Sequence, residues 1–238
     1  MSRREWNRTA DQFDELVCDV ASEETGDQLR RFVSAVELSP KKSVLVDLGC
    51  GTGTFVHKFG KRFREIFAAD FATAVVRKAE RSYKGKAPAH WHVADVKDCP
   101  KLFGERCADL AVCLNVITSP SAARRKSVWN SLKAVTKPSG HMLIVVPSAE
   151  SCEMVTEFEN RTRKRPKPAL RKGGIAERGD VWQKHFRRGE LISILADLGF
   201  SVVRLGAVSY TWTSEGMRKP RDATRAPWDW ICLAKRVA

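Results

Sequence analysis

Apolar residues recur along this chain with two different periods, and the periods alternate. Ala10, Phe13, Leu16, Val17 and Val20, with Trp6 ahead of them, fall at helical spacing, and Leu29, Phe32, Val33 and Val36 repeat the pattern, so two leading helices are expected. The run Ser43-Val44-Leu45-Val46-Asp47-Leu48 is continuous, β-branched and apolar, and breaks into glycines, as a buried strand running into a turn does. A helix through Phe55, Val56 and Phe59 follows. Strands over 66–69, 89–93, 110–114 and 142–146 then alternate with helices over 72–82 and 121–135. Late in the chain a helix over 190–198, with Gly199 placed to close it, precedes strands at 201–205 and 230–234.

This rhythm predicts an α/β fold: a doubly wound, mostly parallel sheet of seven strands with helices on both faces and helices at the N-terminus. The segment from about 149 to 188 interrupts it. Pro166, Pro168, Gly173 and Gly174 break any long helix there, and an insertion or lid after the fifth strand is expected. At 238 residues the chain fits one domain, with 1–40 as a helical cap and 149–188 as the insertion.

Charge changes the picture at one place. The formal net charge is +14, and between Arg161 and Glu190 eleven lysines and arginines face three acids. Such a stretch suits an anionic metabolite, nucleic-acid phosphate or an acidic protein surface, although basic runs are more often simply solvated. No apolar stretch has the length of a membrane span and no signal peptide is visible, so a soluble cytoplasmic protein is expected. The seven cysteines include no C-x-x-C pair and read as reduced, buried thiols, with neither a disulfide framework nor a metal site supported.

The informative motif is Asp47-Leu48-Gly49-Cys50-Gly51-Thr52-Gly53, an acid at a strand end followed by G-x-G-x-G. A phosphate-binding P-loop would need Gly-Lys-Ser/Thr, but Gly53 is followed by Thr54-Phe55. A dinucleotide fingerprint would need a glycine where Thr54 stands, and Asp47 would sit badly beside a pyrophosphate. An acid there suits a cationic ligand, and S-adenosylmethionine carries a sulfonium and an ammonium. Taken singly, Asp47, Asp70 and Asp95 also fit plain strand-end or N-cap roles. Their placement at the ends of three successive strands favours a ligand.

The motif resembles the first motif of the class I, Rossmann-like S-adenosylmethionine-dependent methyltransferases, and further similarities follow in order over residues 43–147 and, more loosely, 185–235. The resemblance implies cofactor contacts from Asp47, Gly49, Cys50, Gly51 and Gly53. It implies a ribose-binding Asp70 with Phe71 beside it, an adenine-binding Asp95 with Val96, and Asn115 at the border of cofactor and acceptor. The Asn/Asp-Pro-Pro-aromatic signature of DNA-adenine and glutamine methyltransferases is absent, since Asn115-Val116-Ile117-Thr118 stands in its place.

The expected activity is methyl transfer by in-line displacement to nitrogen or oxygen of a small, anionic acceptor. The alternative is an RNA or protein substrate gripped by the basic 161–188 stretch. A non-enzymatic cofactor-binding relic is disfavoured by the intact glycine loop. His185 is the candidate acceptor-side base, since imidazole titrates near neutrality; the plainer reading is a partly exposed histidine beside aromatic packing. His57 and His141 read as surface residues. Trp6, Phe13, Trp182 and Tyr210 are the candidate substrate contacts, the first two because relatives in this family often close the cofactor site with an N-terminal helix.

Overall fold

The computed structural model describes residues 19–178 and 181–237; Trp6 and Phe13 lie outside them. In chain order the elements are α1 (Val20–Glu23), α2 (Gln28–Val33), β1 (Val44–Leu48), α3 (Thr54–Phe59), β2 (Glu65–Asp70), α4 (Thr73–Ser82), β3 (Ala89–Val93), α5 (Cys99–Phe103) and β4 (Ala108–Leu114). There follow α6 (Ala122–Val135), β5 (Thr136–Pro147), α7 (Ala149–Asn160), β6 (Ile175–Arg178), β7 (Val181–Lys184), α8 (Arg188–Asp197), β8 (Phe200–Ser209) and β9 (Trp228–Arg236). Seven strands form one sheet in the order β3-β2-β1-β4-β5-β9-β8. Its first five strands in sequence run parallel, and β9 runs antiparallel to both β5 and β8.

Every expected strand is present; the central β1, β4 and β5 are apolar runs buried on both faces, while the edge strands β3 and β8 are partly exposed. Alternation along the strands sorts the side chains. Val46, Leu48, Cys113 and Cys232 pack on one face with Trp129, Leu132, Leu191 and Leu195 of α6 and α8. Leu45, Val112, Ile231 and Val208 pack on the other with α1, α2 and α3. Asp47 and Asp229 are two residues from Leu45 and Ile231, so they belong to this second face. The chain reverses direction of strand addition between β1 and β4, and the crevice at the carboxyl ends there is where ligands of open α/β sheets bind.

Two differences from expectation have local causes. The 149–188 segment contains a 12-residue helix, because Ser148 caps it by accepting from Ser151 N, and Ala149, Cys152, Val155 and Thr156 form a buried stripe. The breakers act only after Asn160, where the chain turns into the β6–β7 hairpin. His141 is half-buried and not on the surface, since β5 places it between Leu110 of β4 and Lys235 of β9. The six described cysteines are free thiols, five of them buried. No described helix is long and apolar enough to cross a membrane.

Candidate cofactor and active site

The glycine loop leaves β1 at the reversal point. Gly49, Gly51 and Gly53 all adopt positive φ (80°, 53° and 80°), and Gly49 N and Cys50 N both donate to Ala69 O, at 2.8 and 2.9 Å, tying the loop to β2. Asp70 ends β2 beside it. Its Oδ1 accepts from Ala72 N at 2.9 Å and its Oδ2 from Gly51 N at 3.3 Å. Each oxygen keeps acceptor capacity after these bonds. Burial raises the Asp70 pKa, and the backbone donors of Ala72, Gly51 and Phe71 offset part of that.

Asp47 is the most perturbed group. It is 2% exposed, and its Oδ2 has no hydrogen-bond partner among the described residues. Burial, then the neighbouring charges of Asp70 and Asp19, push its pKa up to about 8. Three carboxylates thus converge on one loop, with no cation between them among the described residues. The third, Asp19, comes from the start of α1 and accepts from the Thr54 hydroxyl, while Lys58 Nζ donates to Ala21 O, so α1 is fastened over the loop.

Residues 45–140 match the family described as "Methyltransferase domain". The fold is similar to that of an S-adenosylmethionine-dependent methyltransferase from Mesorhizobium loti (TM-score 0.65, 16% identity, 89% of this chain and 98% of that one). It is also similar to a chain of the complex between the Haloferax volcanii Trm112 methyltransferase activator and its methyltransferase (0.66, 12%, 98% of each). A third likeness is to magnesium protoporphyrin IX methyltransferase of Synechocystis PCC 6803 with bound S-adenosylmethionine (0.55, 15%, 97% and 79%). No curated protein matches the sequence. Residues 45–140 thus carry a methyltransferase domain, within a fold shared with S-adenosylmethionine-dependent methyltransferases.

The methyltransferase's own residues fit that cofactor. An unpartnered buried carboxylate oxygen on Asp47 calls for a cation, and side-chain-free glycines leave the loop's backbone approachable. Asp70 keeps lone pairs for ribose hydroxyls. Asp95 is exposed and caps the 3-10 turn Val96–Asp98 by accepting from Lys97 N at 3.1 Å, so its capping role is realised, with Val96 buried behind it. Phe71 is half-buried next to Asp70. In Asp70→Ala the ribose would lose charge-assisted acceptors worth roughly 1.5–3 kcal/mol each, so affinity for S-adenosylmethionine is expected to fall at least about tenfold. A calorimetric titration on folded variant decides it; unchanged affinity would remove the ribose role.

On the acceptor side of the methyltransferase, the strand carrying Lys184, His185 and Phe186 docks against the carboxyl ends of β4 and β5. Lys184 N donates to Thr118 O at 2.8 Å, Phe186 N to Pro147 O at 2.7 Å, and Ala149 N to Phe186 O at 3.0 Å. His185 is 6% exposed, which corrects the partly exposed reading, because that strand is covered on both sides. Its Nδ1 lies 3.3 Å from Gln183 O. Trp182 is half-buried, with the Arg171 guanidinium 3.9 Å from its ring centre. Tyr210 is buried, and its hydroxyl donates to Asp229 Oδ2 at 3.0 Å.

Sequence reasoning missed Asp229 and Asp19. Asp229 was signalled by being the one acid in the otherwise apolar run Trp228-Asp229-Trp230-Ile231-Cys232-Leu233. Asp19 gave no signal beyond its place ahead of α1.

Proposed function

We propose that this methyltransferase acts on a nitrogen or oxygen of a small-molecule acceptor, with the 149–188 segment as the acceptor lid and the whole chain as one catalytic domain. The observation that supports this best is the docking of the 184–186 segment against Thr118, beyond the end of β4, and Pro147 at the end of β5. An insertion seated there borders the space in front of the cofactor. The bound cofactor supplies an activated methyl on a sulfonium, so the protein's task is to position, to exclude water and, where the acceptor is protic, to accept a proton. His185 is the residue proposed for that proton, with Trp182 and Tyr210 as acceptor contacts.

The basic stretch supports the small-molecule reading over RNA. Arg161 pairs with Asp222 at 2.7 Å and with Glu157, while Arg163 and Lys167 both reach Glu159. Charges already paired on their own surface have less to offer phosphate. If Arg161, Arg163, Lys164, Arg165 and Lys167 did grip a single strand, log affinity would fall with log salt at roughly −0.7 per contact, near −3.5 for five. Fluorescence titration of RNA oligomers over a salt series is expected to show only weak, non-specific binding. The variant with all five changed to Gln is expected to keep its cofactor affinity. Sub-micromolar binding near physiological salt that vanishes in that variant would replace the small-molecule reading with the RNA one.

A further inference from the structure

Asp229 lies outside the family-matched residues and has no role in the site described so far, yet it is wired to it. Its Oδ2 accepts from Asn115 Nδ2 at 2.8 Å and from the Tyr210 hydroxyl at 3.0 Å, and the carboxylate also takes the Ser148 backbone N–H. Burial raises the Asp229 pKa and these three donors oppose it; with donors converging on it the carboxylate accepts, which sets the Asn115 amide with Nδ2 toward Asp229 and Oδ1 away from it. That Oδ1 is shielded from solvent and has no hydrogen-bond partner among the described residues.

Asn115 is held in this orientation at a cost to its backbone. It adopts φ +53°, in the left-handed region, where β4 leaves the sheet, and its N–H donates to Val145 O at 2.9 Å. The next residue, Val116, packs directly against Gly49 of the cofactor loop. A second orphaned acceptor belongs to the same crevice, Asp47 Oδ2, one strand away. Buried acceptors ordinarily have donors. A ligand that satisfies both must bring N–H or O–H donors, and it must be positive to suit Asp47. A primary ammonium meets both conditions, and the cofactor's amino-acid tail carries one.

We propose that Asp229, acting through Asn115, is a positioning residue for the cofactor's ammonium group: it aims Asn115 Oδ1 at the same group that Asp47 takes. The inference rests on S-adenosylmethionine being the cofactor. It predicts a dependence on the tail alone, which two ligands separate. S-adenosylhomocysteine has the ammonium tail; 5′-methylthioadenosine has the same adenosine and thioether without it.

Calorimetric titration of both ligands into wild type, Asn115→Ala and the near-isosteric Asp229→Asn tests the proposal. Asn115→Ala is expected to weaken S-adenosylhomocysteine about tenfold. Asp229→Asn weakens it less, and 5′-methylthioadenosine is unchanged in both. Equal weakening of the two ligands would overturn the proposal, because a residue that merely supports the fold cannot tell the tail from the nucleoside. Unchanged affinity for both ligands in folded Asn115→Ala would overturn it too, leaving Oδ1 to the methyl acceptor. Wild type that bound neither ligand would overturn the cofactor reading and this one with it.

Discussion

Asp47→Asn is expected to stabilise the free protein at neutral and mildly alkaline pH and to strip it of the cofactor. In the unfolded chain the Asp47 carboxyl has its ordinary pKa of 3.8, whereas in the fold burial and the facing Asp70 and Asp19 raise it to about 8. Between those values the folded state binds a proton that the unfolded state has lost. Stability therefore falls as pH rises from about 4 to about 8, and is restored only below the unfolded pKa. Raising this carboxyl from 3.8 to about 8 corresponds to roughly 5 kcal/mol by pH 8. Asparagine keeps the shape and cannot ionise, so the variant escapes the penalty.

The same carboxylate explains why the penalty persists. A cationic ligand binds the ionised form, so cofactor affinity in wild type is expected to climb with pH until about 8 and then level off, with close to one proton released per cofactor bound at pH 7. Titrations in two buffers of different ionisation enthalpy count that proton. Asp47→Asn should release none, bind at least about tenfold more weakly, and melt higher than wild type at pH 8 with little difference near pH 4. If the two proteins share one melting profile across that range, Asp47 is not the strained group described here.

Much of this was legible in the sequence, and the parts that were not share a physical character. The central sheet strands announce themselves because each is a local apolar run whose burial needs no knowledge of its neighbours, and the partly exposed edge strands β3 and β8 follow from the alternation with helices. The loop from Asp47 to Gly53 was equally legible, because a strand-end acid followed by alternating glycines has few uses. Helix α7 was not, because its buried stripe consists of Ala149, Ser151, Cys152 and Thr156, with Val155 alone for bulk; small and polar residues at helical spacing do not stand out. The Asn115–Asp229 bond joins residues 114 apart and exists only because β9 enters the sheet antiparallel, bringing its first residues to the end where β4 and β5 finish. No local pattern carries that register. For the same reason His185 was recognised as a candidate by its neighbours, while its burial depends on a strand that docks on β5.

Gly49→Ala is expected to damage fold and cofactor site together, and a second substitution separates the causes. Gly49 has φ +80°, and an added Cβ would lie 2.2 Å from Val116 Cγ2 and 3.1 Å from Cγ1. The backbone conformation alone costs an alanine about 1–2 kcal/mol, and overpacking against Val116 adds roughly 1–3 kcal/mol. Val116 can yield only by moving the chain that carries Asn115, so the displacement reaches the crevice lined by Asp47 and Asn115. Stability is expected to fall by about 2–5 kcal/mol in denaturant titration, and S-adenosylmethionine affinity by about a hundredfold, the loss of two acceptors. Gly49→Ala combined with Val116→Ala removes the clash and leaves the strained φ. On the Val116→Ala background the glycine change should cost less stability than in wild type, and part of the cofactor affinity should return, since nothing then displaces the chain that carries Asn115. Wild-type affinity in Gly49→Ala would mean that this glycine shapes the turn and nothing more. A double variant no better than the sum of its parts would place the whole cost in the backbone and none in the contact with Val116.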